Sequence, residues 1–114
     1  MKHNMKLQPK YYDYILNGTK RIELRLFDEK RQNIKIGDTI QFLKEPDLID
    51  SFIVRVTDLL RYNTFKELIN DYDISILSDK SMTKEELLDI LEEFYPLDKQ
   101  HEYGILGIKF EVMN

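Results

Sequence analysis

Three stretches of this chain alternate apolar and polar side chains one for one, and they lie far apart in the sequence. In residues 20–27, Ile22, Leu24 and Leu26 fall on one face and Arg21, Glu23 and Arg25 on the other. Residues 51–60 set Phe52, Val54 and Val56 against Ile53, Arg55 and Thr57. Residues 104–112 set Leu106, Ile108, Phe110 and Val112 against Gly107, Lys109 and Glu111. A two-residue period marks a strand. The spacing therefore brings the beginning, middle and end of the chain into sheet structure.

Two shorter strands fit around these: residues 3–7, and residues 39–43 after the turn signal Gly37-Asp38. Helical signals fill the gaps. Pro9 suits the first turn of a helix through Tyr11, Tyr12, Ile15 and Leu16, which Asn17-Gly18 closes. Thr64 and Glu67 have capping-box spacing ahead of Phe65, Leu68, Ile69 and Tyr72. Thr83 and Glu86 repeat it, with Met82 and Leu87 placed as a hydrophobic staple. Leu87, Leu88, Leu91, Phe94 and Tyr95 then form a buried face that Pro96 ends. About five strands and three helices give an α+β fold. Strand–helix alternation is too sparse for a doubly wound sheet, so a small mixed barrel or curled sheet with helices packed around it is expected.

With 114 residues the chain reads as one domain, residues 1–114. It has no cysteine, which excludes disulfides and thiolate chemistry, and its two histidines, His3 and His101, offer little to a metal. No metal or cofactor is expected. No apolar run approaches the roughly 20 residues of a membrane span, and the N-terminus lacks a signal-peptide core. A cytoplasmic protein without a membrane partner is the expectation; composition is silent on oligomeric state. The net charge is −4, yet residues 1–36 carry nine Lys/Arg against four Asp/Glu. An acidic chain with a basic beginning suits a short anionic ligand better than long nucleic acid.

The densest polar constellation lies in that basic part: Gly18-Thr19-Lys20-Arg21-Ile22-Glu23-Leu24-Arg25. Gly18 at the helix-to-strand corner permits close backbone approach. Glu23 and Arg25 share a strand face, where the carboxylate can steady the guanidinium fork for a phosphate or a base edge. Lys20 has the opposite parity. Unless the strand starts later, it points to the core or its open mouth, where a lowered pKa would suit a base or an electrostatic stabiliser. A solvated strand face with one surface ion pair explains the same spacing.

Gly18-x-Lys20-x-x-Glu23-x-Arg25, the downstream Gly37-Asp38 and the closing Glu102-Tyr103-Gly104 together resemble the ASCH domain, of the PUA-like superfamily of small β-barrels. The resemblance spans nearly the whole chain. It implies a PUA-like barrel, a cleft at the helix-to-strand corner, and a link to RNA or modified nucleosides. One bacterial branch of the family hydrolyses N4-acylated cytidine with a lysine, a threonine and a glutamate. Carried over, its lysine falls on Lys20, its threonine on Glu23 and its glutamate on Lys80, beside Asp79. Two of the three residue types differ, so the acyl transfer would need Glu23 or an activated water, with Asp79 or Glu85 replacing the glutamate.

The sequence therefore predicts an RNA- or nucleotide-binding module using Gly18, Lys20, Glu23 and Arg25. Lys30 and Arg31, in the charged run after the strand, would add phosphate contacts. The alternative is a small amidohydrolase acting on acylated cytidine-type nucleosides, with Lys20 and Glu23 catalytic. One of Tyr11, Tyr12 and Tyr14 must be exposed and could stack on a base. His101 would stand in a loop near the cleft mouth. The helix bearing Glu85, Asp89, Glu92 and Glu93 presents an acidic face that repels nucleic acid.

Overall fold

The structure, a computed structural model, describes residues 1–113. Its elements run β1 (Lys2–Leu7), α1 (Pro9–Leu16), β2 (Ile22–Leu26), β3 (Thr39–Lys44), β4 (Ser51–Tyr62), α2 (Phe65–Asp71), α3 (Ile74–Leu77), α4 (Lys84–Phe94), α5 (Leu97–Tyr103) and β5 (Ile105–Val112). The strands join one sheet in the order β1-β3-β4-β5-β2. Among the described residues only the β1–β3 pair is parallel. The sheet curls into a half-barrel, so β1 and β2 are its two free edges, and α1 is the chain that links them. The fold is α+β and PUA-like, as the alternation and the resemblance lead one to expect. No helix among the described residues is long and apolar enough to cross a membrane.

Alternation alone suggests one buried face per strand, but two cores form, one on each side of the sheet. Met5, Tyr12, Ile15, Ile40, Phe42, Val54 and Phe110 fill the inside of the half-barrel. Phe65, Leu68, Leu77, Leu87 and Leu91 of the helices pack with Ile22, Leu24 and Ile105 on the outside. Each fully buried side chain of this kind contributes about 1.5–3 kcal/mol relative to exposure. The outer packing is close at Gly107, where a methyl group would stand 2.8 Å from Leu68 Cδ1. Strand β2 is therefore covered on both faces. Ile22 and Leu24 face the helices, while Glu23 and Arg25 pair across β5 with Ile108 and Leu106, members of the inner core. Paired residues share a face.

The Thr83 capping box forms in full: the Glu86 N–H donates to Thr83 Oγ1 (3.1 Å) and the Thr83 N–H to Glu86 Oε1 (3.3 Å). Met82 and Leu87 are both buried in the same cluster, as a staple requires. At α2 only Thr64 caps, accepting from the Glu67 N–H. Its first N–H, that of Phe65, is instead taken by Gln100 Oε1 at 2.9 Å. Two short helices, α3 and α5, go beyond the expected three. Helix α3 has four residues, too few to show a period. Helix α5 buries one polar residue, Gln100, and so carries no apolar stripe.

Candidate functional site

Strand β2 begins at Ile22, two residues later than the alternation suggests. The preceding residues form a tight corner: the Gly18 N–H donates to the Ile15 carbonyl, and those of Thr19 and Lys20 to the Tyr14 carbonyl, each at 3.0 Å. Gly18 adopts φ +87°, the left-handed conformation that ends α1. Nothing lies within 4 Å of where its Cβ would be. The glycine serves the turn and not a close approach.

This corner frees Lys20 from strand parity. Its side chain folds in to join Glu23, leaving Lys20 and Glu23 3% and 6% exposed. Lys20 Nζ donates to the carbonyls of Ile22 and Leu77, both at 2.6 Å, and stands 3.4 Å from Glu23 Oε1. Arg25 reaches the other carboxylate oxygen, with Nε at 2.9 Å and Nη2 at 2.8 Å from Glu23 Oε2. The same Nη2 donates to the Lys6 carbonyl of β1 at 2.8 Å. Arg25 thus ties the two free edges of the half-barrel together across its open side.

Charges this deep persist only when paired and hydrogen-bonded. Burial pushes the Lys20 ammonium pKa down, and the partly compensating Glu23 carboxylate leaves it below its usual range. Burial also pushes the Glu23 carboxyl up, but Arg25 and Lys20 together outweigh it and hold the group below the ordinary range. For Arg25 burial again opposes the charge, and Glu23 and Tyr95 more than offset it.

The three side chains line a cleft of about 180 Å³. Helix α4 supplies apolar lining through Leu87, Ile90, Leu91 and Phe94, its C-cap residue Tyr95 adds another ring, and the β1–α1 junction adds Lys6, Gln8 and Tyr11. Phe94 is 59% exposed, an aromatic ring left open at this cleft. The Tyr11 ring centroid is 5.8 Å from Lys20 Nζ, within cation–π range. Of the three early tyrosines, Tyr12 is buried in the inner core, while Tyr11 and Tyr14 are half-buried. Sequence reasoning missed Lys6 and treated Phe94 as core, because a helical stripe does not reveal where its covering layer stops.

Other candidates lie elsewhere. Gly18 is absent from the cleft lining; it borders another hollow with Arg21, Thr57 and Glu111, which shares Lys20 with the cleft. Lys30 and Arg31 sit in the turn after β2 and line a neighbouring depression that shares Arg25 with the cleft. Asp79 is occupied by the N–H and hydroxyl of Ser81, at 3.0 and 2.6 Å. Neither it nor Lys80 nor Glu85 reaches the cleft lining, so the suggested replacements for the family's glutamate are not in place. His101 is not in a loop but in α5, exposed beside a polar basin with Thr64 and Glu67. The motif residue Asp38 joins β1 to β3, accepting from the Lys35 N–H at 3.0 Å with His3 Nε2 2.8 Å away. The His3 contact foremost, then the Lys35 N–H, hold its carboxyl well below the usual range. Among the described residues no cluster of His, Asp or Glu is arranged to hold a metal.

No curated protein matches this chain. Solved structures do. The crystal structure of hypothetical protein PH0355 shares 34% identity over 99% of this chain and 100% of that one, with a TM-score of 0.86. The solution structure of protein PF0455 from Pyrococcus furiosus shares 32% over 100% and 99%, with a TM-score of 0.78. An ASCH domain from Lactobacillus crispatus JV V101 has the same fold at 15% identity, covering 97% of this chain and 79% of that one, TM-score 0.64. The family model of the ASCH domain matches residues 5–113. The chain belongs to the ASCH domain family.

Proposed function

We propose that the protein binds RNA or a small nucleotide or nucleoside, with a single base seated in the cleft between the Lys20–Glu23–Arg25 network and helix α4. The observation that carries this reading is a buried, mutually paired charge network forming part of a cavity whose remaining lining is mostly apolar and aromatic, with Lys6 and Gln8 at the β1–α1 junction. Such a cavity meets both needs of a base. Flat apolar surface from Phe94 or Tyr11 stacks on its face, and fixed polar groups read its edge. Arg25 is the donor that a base edge would meet, and Glu23 holds its fork steady. Lys20 supports Glu23 from behind. The volume suits one base, not a duplex.

The hydrolysis of N4-acylated cytidine would require a free lone pair on Lys20 or Glu23 facing the cleft. Three acceptors surround Lys20 Nζ and a cation meets each Glu23 oxygen, which supports binding over acyl transfer. An amide-resolved NMR titration with short single-stranded RNA, and with cytidine, tests the reading. Saturable shifts over residues 18–25 and 90–95 are expected, and Arg25→Ala should weaken binding about tenfold or more. An unchanged affinity in a folded variant removes the cleft from consideration. Conversion of N4-acetylcytidine to cytidine by the native protein would replace binding with catalysis.

A further inference from the structure

Strand β1 lines more than the cleft. Its residues 3–6 form one side of a second depression, of about 340 Å³, together with Arg25, Lys30 and Arg31. Lys6 and Arg25 belong to both linings, so the two hollows adjoin at these residues. Their characters differ. The cleft is mainly apolar apart from its charge network, whereas among the described residues four cations and no acid line the depression, namely Lys6, Arg25, Lys30 and Arg31.

Part of that charge is already balanced. Arg31 contacts the Asp28 carboxylate at 3.0 Å, Arg25 contacts Glu23, and His3 contacts Asp38. Among the described residues Lys6 and Lys30 have no carboxylate partner, and both are exposed. Two ammonium groups without a carboxylate partner thus border one depression of a protein whose net charge is −4. A concave, cation-lined surface on an acidic molecule focuses positive potential locally. Residues 3–8 border both hollows in turn, and a strand of that length runs roughly 16 Å. That is room for a base at one end and its phosphate at the other.

We infer that the depression lined by Lys6, Arg25, Lys30 and Arg31 is a phosphate subsite, and that the ligand of the adjoining cleft is a phosphorylated nucleoside. This rests on the base-binding reading of the cleft and adds to it the chemical class of the ligand. The phosphate belongs either to a free nucleotide or to an RNA strand; the two share their recognition chemistry.

The test measures dissociation constants by calorimetry for cytidine, cytidine 5′-monophosphate and a cytidine trinucleotide. Native protein should bind the monophosphate about tenfold or more tightly than cytidine, the worth of one or two charge-assisted hydrogen bonds. In Lys30→Glu, a surface change whose folding is checked by its melting temperature, that ratio should fall toward one. Its preference should also weaken with added salt. Equal affinity of native protein for cytidine and its monophosphate overturns the phosphate subsite and leaves the cleft reading standing. A preference that survives Lys30→Glu also overturns it, since the phosphate then sits elsewhere. If none of the three binds, the cleft reading fails and the subsite with it. A trinucleotide that binds more tightly than the monophosphate supports the subsite and makes an RNA strand the source; the reverse order supports it with a free nucleotide.

Discussion

Two buried polar knots hold this molecule together, and they are built on opposite principles. At one, the neutral amide of Gln100 is wholly enclosed and makes two bonds to backbone, accepting from the Phe65 N–H at 2.9 Å and donating to the Tyr95 carbonyl at 2.8 Å. It fixes α5 to the start of α2 and the end of α4, and both ends of the amide are spent doing so. At the other, Lys20, Glu23 and Arg25 satisfy one another and reach three backbone carbonyls besides. That knot also closes the open side of the half-barrel, but it does so with charges that border a cavity. A backbone-paired amide only sets geometry. A charge network sets geometry and projects a field, and a ligand can share it.

The largest expected effect breaks the charged knot. Glu23→Ala leaves Lys20 and Arg25 side by side and buried with no counter-charge, and should cost about 3–5 kcal/mol of stability. A urea unfolding midpoint measures it. A loss below about 1 kcal/mol would mean that water reaches both cations, as at a surface pair. The neutral knot should be weaker. Gln100→Ala strands a buried N–H and a carbonyl, for about 1–3 kcal/mol, and should leave ligand affinity unchanged, because Gln100 takes no part in the cleft lining. Should Gln100→Ala prove the more damaging of the two, the contrast drawn between amide and charge would be reversed.

The same contrast explains what could be read in advance. Strands with regular alternation were legible because their periodicity reports directly on which residues share a face. The Thr83 cap was legible because its partners are three residues apart. The Glu23–Arg25 pair was legible for the same local reason, since residues two apart on a strand face the same way. Lys20 was half legible: parity set it apart from Glu23, and only the late start of β2 at Ile22 turns it back. The Gln100 knot was hidden, because its partners lie 35 and 5 residues away and a lone polar residue in α5 gives no pattern. The α4 lining was hidden differently. Phe94 repeats at helical spacing like a core residue, and nothing local shows that the half-barrel stops short of covering it.

A finer test compares Glu23 with Asp38, the other carboxylate of the motif. Both have folded pKa values below their ordinary ones, 4.5 for Glu and 3.8 for Asp. The unfolded chain therefore takes up protons first as pH falls, and the stability each contributes is complete above the ordinary value and drains away below it. One such group adds at most about 1.4 kcal/mol per pH unit to the acid limb. Glu23→Gln should flatten that limb, measured as unfolding free energy from pH 5 down to pH 2, since its carboxylate is enclosed between two cations that hold it ionised below its ordinary range. Asp38→Asn should flatten it less: Asp38 is also enclosed, but the Lys35 N–H carries no net charge and the Met1 ammonium, 3.1 Å away, is 71% exposed, so water and salt screen part of what holds the carboxylate. Adding salt separates the two further: the Asp38 contribution should shrink, and that of Glu23 should persist. Equal slopes for the two variants at high salt would place Glu23 in contact with solvent, and the charged knot would then be a surface feature instead of the floor of a binding cleft.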